Sequence, residues 1–295
     1  MANWKSLLVT TAALFVLPLG SQTAESISLN RPGLKSIQFV TPVPAITPGE
    51  TFTVGLRIIP EKGYHTYWKG PGIVGVATSI QWTLPDGFTA SELQWPPPEK
   101  SDMAGISANG YNSEQILLTD ITVPNHIDEE NVKIRGKVAW MACATECNPG
   151  VEEIVLTLPV NNTDQKVAVD RQLADRFEEI RSTFPVAAPD SWTFDLQLES
   201  PETITVEINS PGNEFTNADA IQFFSYDHQV DSNQPQHIEV NEAGNLILKL
   251  PRPKFAPKSP TSFSGVIHHP EGWPESESNW IEISVPWQSA TISDE

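Results

Sequence analysis

The chain has 295 residues, and its 37 acidic side chains outnumber its 18 basic ones, which gives a formal net charge of −19. A surface this acidic repels phosphate backbones, and no basic stripe in the sequence offsets the repulsion, so we exclude nucleic acid as a partner. The length predicts two domains, while 26 prolines and 17 glycines among many β-branched and aromatic residues indicate short strands and turns.

The N-terminal segment, residues 1–24, is typical of a secretory signal peptide. One lysine, Lys5, precedes an apolar run from Leu7 to Leu19, and small and polar residues follow up to Ala24. The apolar run is shorter than the roughly 20 residues that a membrane helix needs. We therefore expect an exported, soluble protein that is not embedded in the membrane, in a compartment where disulfide bonds persist.

A first β-rich block covers residues 25–162. In residues 51–58, apolar side chains alternate with smaller or polar ones, which is the period-2 pattern of a strand with one buried face. Similar segments follow at residues 116–123, 132–142 and 151–160, separated by proline, asparagine, aspartate or glycine. The pattern predicts an antiparallel β-sandwich.

The pattern changes over residues 163–188, which we interpret as a linker that contains a helix. Apolar residues there recur at near-helical spacing among charged ones, and Pro185 ends the pattern. The apolar residues at this spacing are Val167, Leu173, Phe177 and Ile180.

Strand patterns resume over residues 189–288 and predict a second sandwich without cysteine. The sequence EAGN at residues 242–245 is predicted to be the turn of a hairpin. Residues 289–295 are left as a C-terminal tail. The sequence therefore predicts an all-β protein of two antiparallel sandwiches joined by a short linker helix.

Both cysteines of the chain lie in WMACATECNPG, residues 140–150, with three residues between Cys143 and Cys147. Three residues are a permitted hairpin loop, and facing residues of an antiparallel pair have Cα atoms roughly 4.5–5.5 Å apart, within the span of a disulfide. Cys143 has the opposite parity to the apolar residues of the preceding strand, so we expect it at or near the surface. The proline and glycine of Asn148-Pro149-Gly150 predict that the chain leaves the ladder there. The apolar residues of the strand before Cys143, which have the parity opposite to it, are Val132, Ile134, Val138 and Trp140.

As a structural crosslink the pair is weak, and its position at a hairpin tip favours a redox couple. Closing a loop of about five residues stabilises a fold by only roughly 2 kcal/mol, whereas an accessible disulfide is readily attacked by a thiolate. Glu146 beside the pair disfavours a reactive thiolate, because such thiolates favour electropositive surroundings. From these residues alone, redox exchange, a structural disulfide and a metal clip all remain open.

Five stretches together resemble a known family, in the order in which they occur. The family is the N-terminal periplasmic domain of the thiol:disulfide interchange protein DsbD, and the similarity is greatest to its ScsB-like branch, whose cysteines also stand three residues apart. The resemblance covers about residues 35–160, and the second half is similar to the immunoglobulin-like domain that follows in ScsB-like proteins. The matching stretches are GYHTYWKGPGIVG (63–75), IQWTLPDGF (80–88), LQWPPPEK (93–100), NGYNSEQILL (109–118) and VAWMACATECNPG (138–150).

The resemblance implies two immunoglobulin-like sandwiches and a redox-active pair in the periplasm. Cys143 and Cys147 would take electrons from a DsbD-like membrane protein or a thioredoxin-like protein and pass them to oxidised periplasmic proteins, a protein-disulfide reductase-like role without a cofactor. The form expected here stands alone, without the membrane and thioredoxin-like domains of DsbD itself.

The resemblance also implies a loop that caps the pair until a partner arrives. By position, the cap would fall between Ser101 and Asn112, with Tyr111 as the covering aromatic. Family analogy favours Cys147 as the cysteine attacked first, although the residues alone do not decide this. The aromatic segment would supply further residues near the pair, which are Tyr64, His65, Tyr67 and Trp68.

Two alternatives come from other functional classes. In the first, the cysteines bind copper(I) together with Met141, Met103 or His65, because soft sulfur ligands suit this ion. Against it, the chain has only three methionines, and we expect no metal site. In the second, the sandwiches form a non-catalytic interaction protein with a structural disulfide. No hydrolase triad or phosphate-binding loop is apparent.

Overall fold

The computed structural model describes residues 31–163, 167–210, 215–273 and 275–287. The predicted signal peptide, residues 1–24, and the predicted tail, residues 289–295, lie outside the described residues. No helix in the described ranges is long and apolar enough to cross a membrane.

Residues 34–159 form a first sandwich of two sheets. The strands are β1 (Leu34–Val40), β2 (Thr51–Pro60), β3 (His65–Tyr67), β4 (Ser79–Thr83), β5 (Thr89–Ala90), β6 (Glu99–Met103), β7 (Ile106–Tyr111), β8 (Gln115–Thr122), β9 (Asn131–Cys143) and β10 (Cys147–Pro159). One sheet has the order β1-β2-β8-β5, and the other has the order β10-β9-β3-β7-β6, with β4 also paired to β9. All of these pairings are antiparallel.

The alternating patterns place their apolar side chains in the core of this sandwich, as predicted. Strands β2 and β9 face each other across the interior, each burying one parity of its residues. The buried residues of that parity are Phe52, Val54, Leu56 and Ile58 in β2, and Val132, Ile134, Val138 and Trp140 in β9.

Strands β9 and β10 form a hairpin of 13 residues on each side, in continuous register. Pro149 pairs with Met141 and Gly150 with Trp140, so the predicted exit from the ladder at Asn148 is wrong. Strand β10 is at the edge of its sheet, where a proline is tolerated because its missing N–H can face away from the ladder. Position 150 must be glycine, because a Cβ there would lie 2.2 Å from the ring of Trp140, its register partner.

The predicted linker helix is present as α1 (Arg171–Ser182). Its buried residues Phe177 and Ile180 pack in one cluster with apolar side chains of strand β8. Arg181 forms an ion pair with Asp120 at 2.7 Å. The helix therefore packs on the outer face of the first sandwich.

The second sandwich also consists of two sheets. Its strands are β11 (Val186–Ala187), β12 (Thr193–Ser200), β13 (Thr203–Asn209), β14 (Gln222–Ser225), β15 (His237–Val240), β16 (Leu246–Pro251), β17 (Ser262–His268) and β18 (Trp280–Pro286). The strand orders are β11-β18-β17-β14 and β12-β13-β16-β15. Strands β15 and β16 form the predicted hairpin around residues 242–245. Only β11 pairs in parallel, with β18, among these described strands.

The two sandwiches share an apolar interface. Trp68, next to strand β3, lies with its ring 5.1 Å from that of Tyr226 and 6.3 Å from that of Phe224, centroid to centroid. Phe224 is part of the core cluster of the first sandwich. A Cβ on Gly70 would lie 2.0 Å from the carbonyl oxygen of Ser225, so the two backbones approach closely there. The second sandwich is thus packed directly against the segment that follows β3.

Candidate functional site: a covered disulfide

Cys143 and Cys147 form a disulfide at the tip of the β9–β10 hairpin. They face each other in the register, as predicted, with Cα atoms 4.1 Å apart, somewhat less than the spacing expected from the ladder. The Ala144 N–H donates to the carbonyl of Glu146 at 3.0 Å and closes the turn. Glu146 and Cys147 are exposed at this tip.

The two cysteines differ in burial. Cys143 is 0% exposed, so the expectation that it lies at or near the surface is wrong. The Cys143 side chain points away from the sandwich core, as its parity in the strand predicted. However, β3 pairs with β9 at this position, and segments from elsewhere in the chain cover the outer face. Only Cys147 is presented to solvent.

The first covering segment is the hairpin of β6 and β7, called here the cap hairpin (Glu99–Tyr111). Ala108, which is 0% exposed, forms one buried cluster with Cys143 and Tyr67. Met103 packs against the same cluster. This hairpin overlaps the stretch between Ser101 and Asn112, in which the family resemblance implied a cap.

The second covering segment is the loop of residues 69–78, called here the cover loop. Val74 packs against the Cys143 cluster. Gly75 has a φ of +94°, and a Cβ there would lie 2.0 Å from the Tyr67 ring, so glycine is required on both grounds. The loop is bonded to the cap hairpin, because the Asn109 N–H donates to the Pro71 carbonyl at 2.9 Å.

Tyr67 is the aromatic side chain that covers the disulfide. Its hydroxyl lies 3.9 Å from Cys147 Sγ and donates to that sulfur, which carries no hydrogen in the disulfide. Burial raises the pKa of Tyr67 to about 12, so the hydroxyl keeps its proton near neutral pH.

The prediction that Tyr111 covers the pair is wrong. Tyr111 belongs to the main core of the first sandwich, and its hydroxyl donates to the Pro96 carbonyl at 2.7 Å. In the register of β3 and β7, it lies opposite Thr66, whose neighbour Tyr67 has the opposite parity. Tyr67 takes the covering position for this reason.

His65 lies beside the disulfide on the same face of the sheet as Tyr67. It is the register partner of Cys143, and its ring centroid is 5.0 Å from that of Tyr67. Burial lowers the pKa of His65, while the charge of Asp102 opposes this, so the imidazole is neutral at neutral pH. Its Nε2 atom has no hydrogen-bond partner among the described residues.

Tyr64 and Trp68 face the other way, because successive side chains of a strand alternate. Tyr64 packs, partly buried, against the main core, and Trp68 lies in the interface with the second sandwich. Of the four aromatic-segment residues predicted near the pair, the structure therefore brings His65 and Tyr67 to the disulfide.

The cluster around Cys143 contains soft ligand atoms but no conventional metal site. Met103 and Met141 both pack against it. In the part of the chain that the structure describes, no group of three or more histidine, cysteine, aspartate or glutamate side chains could hold a metal ion. The site is a disulfide between one exposed and one buried cysteine.

The fold and this site define a β-sandwich protein with a disulfide at a hairpin tip, in which one of the two cysteines is covered. Residues 36–159 match the family model described as thiol:disulfide interchange protein DsbD, N-terminal. The matched residues are less than half of the chain, and the match confirms the resemblance found in the sequence. A comparison with curated protein sequences finds no match.

A solved structure shares the fold across both sandwiches. The N-terminal periplasmic domain of ScsB from Proteus mirabilis aligns with a TM-score of 0.58 at 15% identity, over 88% of this chain and 97% of that one. Domains 5–6 of the S-layer protein SbsC align at 11% identity over 86% and 96% of the two chains, but with a TM-score of 0.23, which supports no conclusion.

Proposed function

We propose that this protein exchanges thiols and disulfides in the periplasm through Cys143 and Cys147. It relays reducing equivalents from a membrane-bound or thioredoxin-like donor to oxidised periplasmic proteins. The observation that carries the proposal is the asymmetry of the pair, in which Cys147 is exposed and Cys143 is fully covered. The match of residues 36–159 to the family model of the DsbD N-terminal domain supports it.

The asymmetry orders the first exchange. A donor thiolate attacks Cys147 Sγ, the sulfur of the exposed residue, and forms a mixed disulfide with it. The Cys143–Cys147 bond breaks, and its electron pair goes to Cys143, which takes up a proton. A second thiol of the donor then attacks the donor sulfur of the mixed disulfide and releases Cys147. The donor leaves as a disulfide, and the pair has gained two electrons and two protons.

The second exchange runs the same chemistry towards a target. The Cys147 thiolate attacks a disulfide of the target protein and forms a mixed disulfide, which releases one target thiol. Cys143 then attacks Cys147 Sγ, and this step restores the original disulfide and releases the second target thiol. Burial keeps Cys143 away from competing reagents, while its position opposite Cys147 keeps it within reach.

Tyr67 assists Cys147 in both exchanges. A hydroxyl that keeps its proton can donate to the thiolate and stabilise it when Cys147 is the leaving group. No positively charged side chain is bonded to the pair in the described contacts, so this donor replaces the electropositive surroundings that reactive thiolates usually have. Glu146 at the exposed tip opposes thiolate formation, and the pair depends on an activated thiolate from the donor.

Trapping with a thioredoxin variant tests the proposal. The variant keeps its attacking cysteine and has lost the resolving one, so the mixed disulfide accumulates. We expect a covalent adduct with the oxidised wild-type protein, attached at Cys147 in peptide mapping by mass spectrometry. The double variant Cys143→Ser/Cys147→Ser should give no adduct and keep its fold, because the disulfide closes a loop that contributes only about 2 kcal/mol. Equal adduct in the double variant, or attachment at Cys143, contradicts the proposal.

Copper(I) binding is a second candidate, which the positions of two methionines favour. Met103 and Met141 pack against the cluster that contains Cys143, and thioether and thiolate sulfur suit this ion. The exchange proposal instead predicts weak, nonstoichiometric uptake by the reduced protein, measured in competition with a chromophoric copper(I) chelator. Tight binding of one ion per chain that is lost in Met103→Leu would favour copper handling over exchange.

A further inference from the structure

We propose that the second sandwich holds the cover of Cys143 in place. Ser232 and Asn233, in the loop between β14 and β15, act as positioning residues that fasten the cap hairpin and the cover loop over the buried sulfur. The proposal concerns the same disulfide as the proposed function. It rests on that function in one respect, namely that this disulfide is the group that reacts. Its test uses a small thiol and needs no protein partner.

Ser232 bonds to both covering segments at once. Its buried hydroxyl donates to the Ser107 carbonyl at 2.7 Å and accepts from the Ile73 N–H at 3.1 Å. Ser107 is in the cap hairpin, and Ile73 is in the cover loop. A Cβ on Gly72 would lie 2.1 Å from this hydroxyl oxygen, so the cover loop approaches Ser232 as closely as glycine allows.

Asn233 also bonds to Ser107 of the cap hairpin, at its N–H rather than at its carbonyl. Its Oδ1 accepts from the Ser107 N–H at 2.8 Å. Both backbone polar groups of Ser107 are therefore bonded to side chains of the second sandwich. Ser107 directly precedes Ala108, the cap residue that shares a buried cluster with Cys143.

Two further contacts reinforce this attachment. Lys100 Nζ, on strand β6, donates to the Asn109 side chain at 3.0 Å and to the Ser232 carbonyl at 3.4 Å. The His228 ring donates from Nδ1 to the Gly72 carbonyl at 3.2 Å. The cap hairpin and the cover loop thus each have more than one bond to the second sandwich.

The attachment controls how readily the Cys143 sulfur leaves when the disulfide breaks. It does not control how readily a thiolate reaches Cys147. When a thiolate attacks Cys147, the electron pair of the broken bond goes to Cys143, inside an apolar cluster that disfavours a thiolate. Moving the cap hairpin aside lets water reach the Cys143 sulfur. Bonds that hold the hairpin down therefore slow reduction, and they slow the reverse reaction equally, because the same opening precedes both.

The test is the rate at which dithiothreitol reduces the disulfide of the full chain, in Asn233→Ala and separately in Ser232→Ala. One dithiothreitol thiolate attacks Cys147, and the second closes the reagent into its own cyclic disulfide. We expect reduction about fivefold faster in each variant, the factor that corresponds to the loss of one typical net hydrogen bond. Reoxidation should accelerate equally, so the midpoint potential of the pair should not change.

Two further variants separate positioning from general loosening. Asn233→Asp keeps the acceptor oxygen for the Ser107 N–H and should reduce at nearly the wild-type rate. Asn241→Ala is the matched control, because its Oδ1 accepts from the N–H groups of Ala243 and Asn245 within the β15–β16 turn, away from the cap. It should leave the rate unchanged.

The outcomes decide the proposal independently of the trapping experiment. Unchanged rates in folded Asn233→Ala overturn it, and so does equal acceleration in Asn241→Ala. Asn233 is exposed, so its alanine variant is expected to fold even if Ser232→Ala does not. Faster reduction in Asn233→Ala together with no thioredoxin adduct would support the positioning role and reject the relay.

Discussion

Replacing Trp68 with alanine is expected to lower the free energy of unfolding by about 3–5 kcal/mol, the usual cost of removing a buried tryptophan. It should also separate the unfolding of the two sandwiches. Trp68 is 1% exposed and packs against Phe224 and Tyr226 of the second sandwich. Removing its indole leaves a cavity at the interface that couples the two cores.

The residues around Trp68 cannot easily move in to fill this cavity. Lys69 Nζ lies 3.6 Å from the centroid of the Tyr226 ring, and Gly70 is already as close to Ser225 as the backbone permits. The segment after β3 is therefore held on both sides of the missing ring. Because packing rather than a covalent link joins the sandwiches at this point, we expect the loss of cooperativity to accompany the loss of stability.

Differential scanning calorimetry of Trp68→Ala and Trp140→Ala tests this expectation. Trp140 is 5% exposed in the core of the first sandwich, and the indole N–H of each tryptophan lacks a hydrogen-bond partner among the described residues. Both variants should be destabilised by similar amounts. Only Trp68→Ala should unfold in two resolved transitions, and a single transition in both variants would show that Trp68 does not couple the sandwiches.

The sequence predicted the elements of this fold because each depends on local periodicity. Alternation in β2 and β9 identifies the buried face of each strand without reference to any partner. The hairpin at the cysteines follows from three intervening residues and the return of a strand pattern. The spacing of apolar residues before Pro185 identifies the linker helix in the same way.

The burial of Cys143 could not be predicted from local pattern. Parity placed its side chain on the face opposite the core, and this was correct, but what covers that face comes from Tyr67, Val74 and Ala108, far away in sequence. These residues are apolar or aromatic and are not distinguished from ordinary core residues. Whether the outer face of a strand is exposed depends on tertiary contacts that periodicity does not contain.

The choice of Tyr111 as the covering aromatic failed for a related reason. Tyr111 lies on the strand that carries Ala108 over Cys143, but one residue of register decides which face a side chain occupies. The pairing of Thr66 with Tyr111 sends Tyr111 into the core. Ser232 and Asn233 gave no sequence signal, because polar residues in a loop are common and their bonds reach residues more than a hundred positions away.

Once the disulfide is reduced, Cys147 is expected to react with iodoacetamide at least about a hundredfold faster than Cys143. A covered thiol reacts only when the structure opens locally, and a factor of this size corresponds to an opening that costs about 2.7 kcal/mol. The same cover that surrounds Cys143 in the disulfide should remain after reduction, since the short loop contributes little to the fold.

Mass spectrometry of peptides from a timed reaction with the reduced protein measures the two rates separately. The control is the same reaction in concentrated urea, where the cover is lost and both thiols should react at similar rates. Tyr67→Phe should slow alkylation of Cys147 while leaving Cys143 slow, because it removes the donor 3.9 Å from Cys147 Sγ but keeps the ring over the pair. Similar rates for the two cysteines in the folded protein would mean that the cover does not distinguish them. The exchange order proposed from their burial would then be wrong.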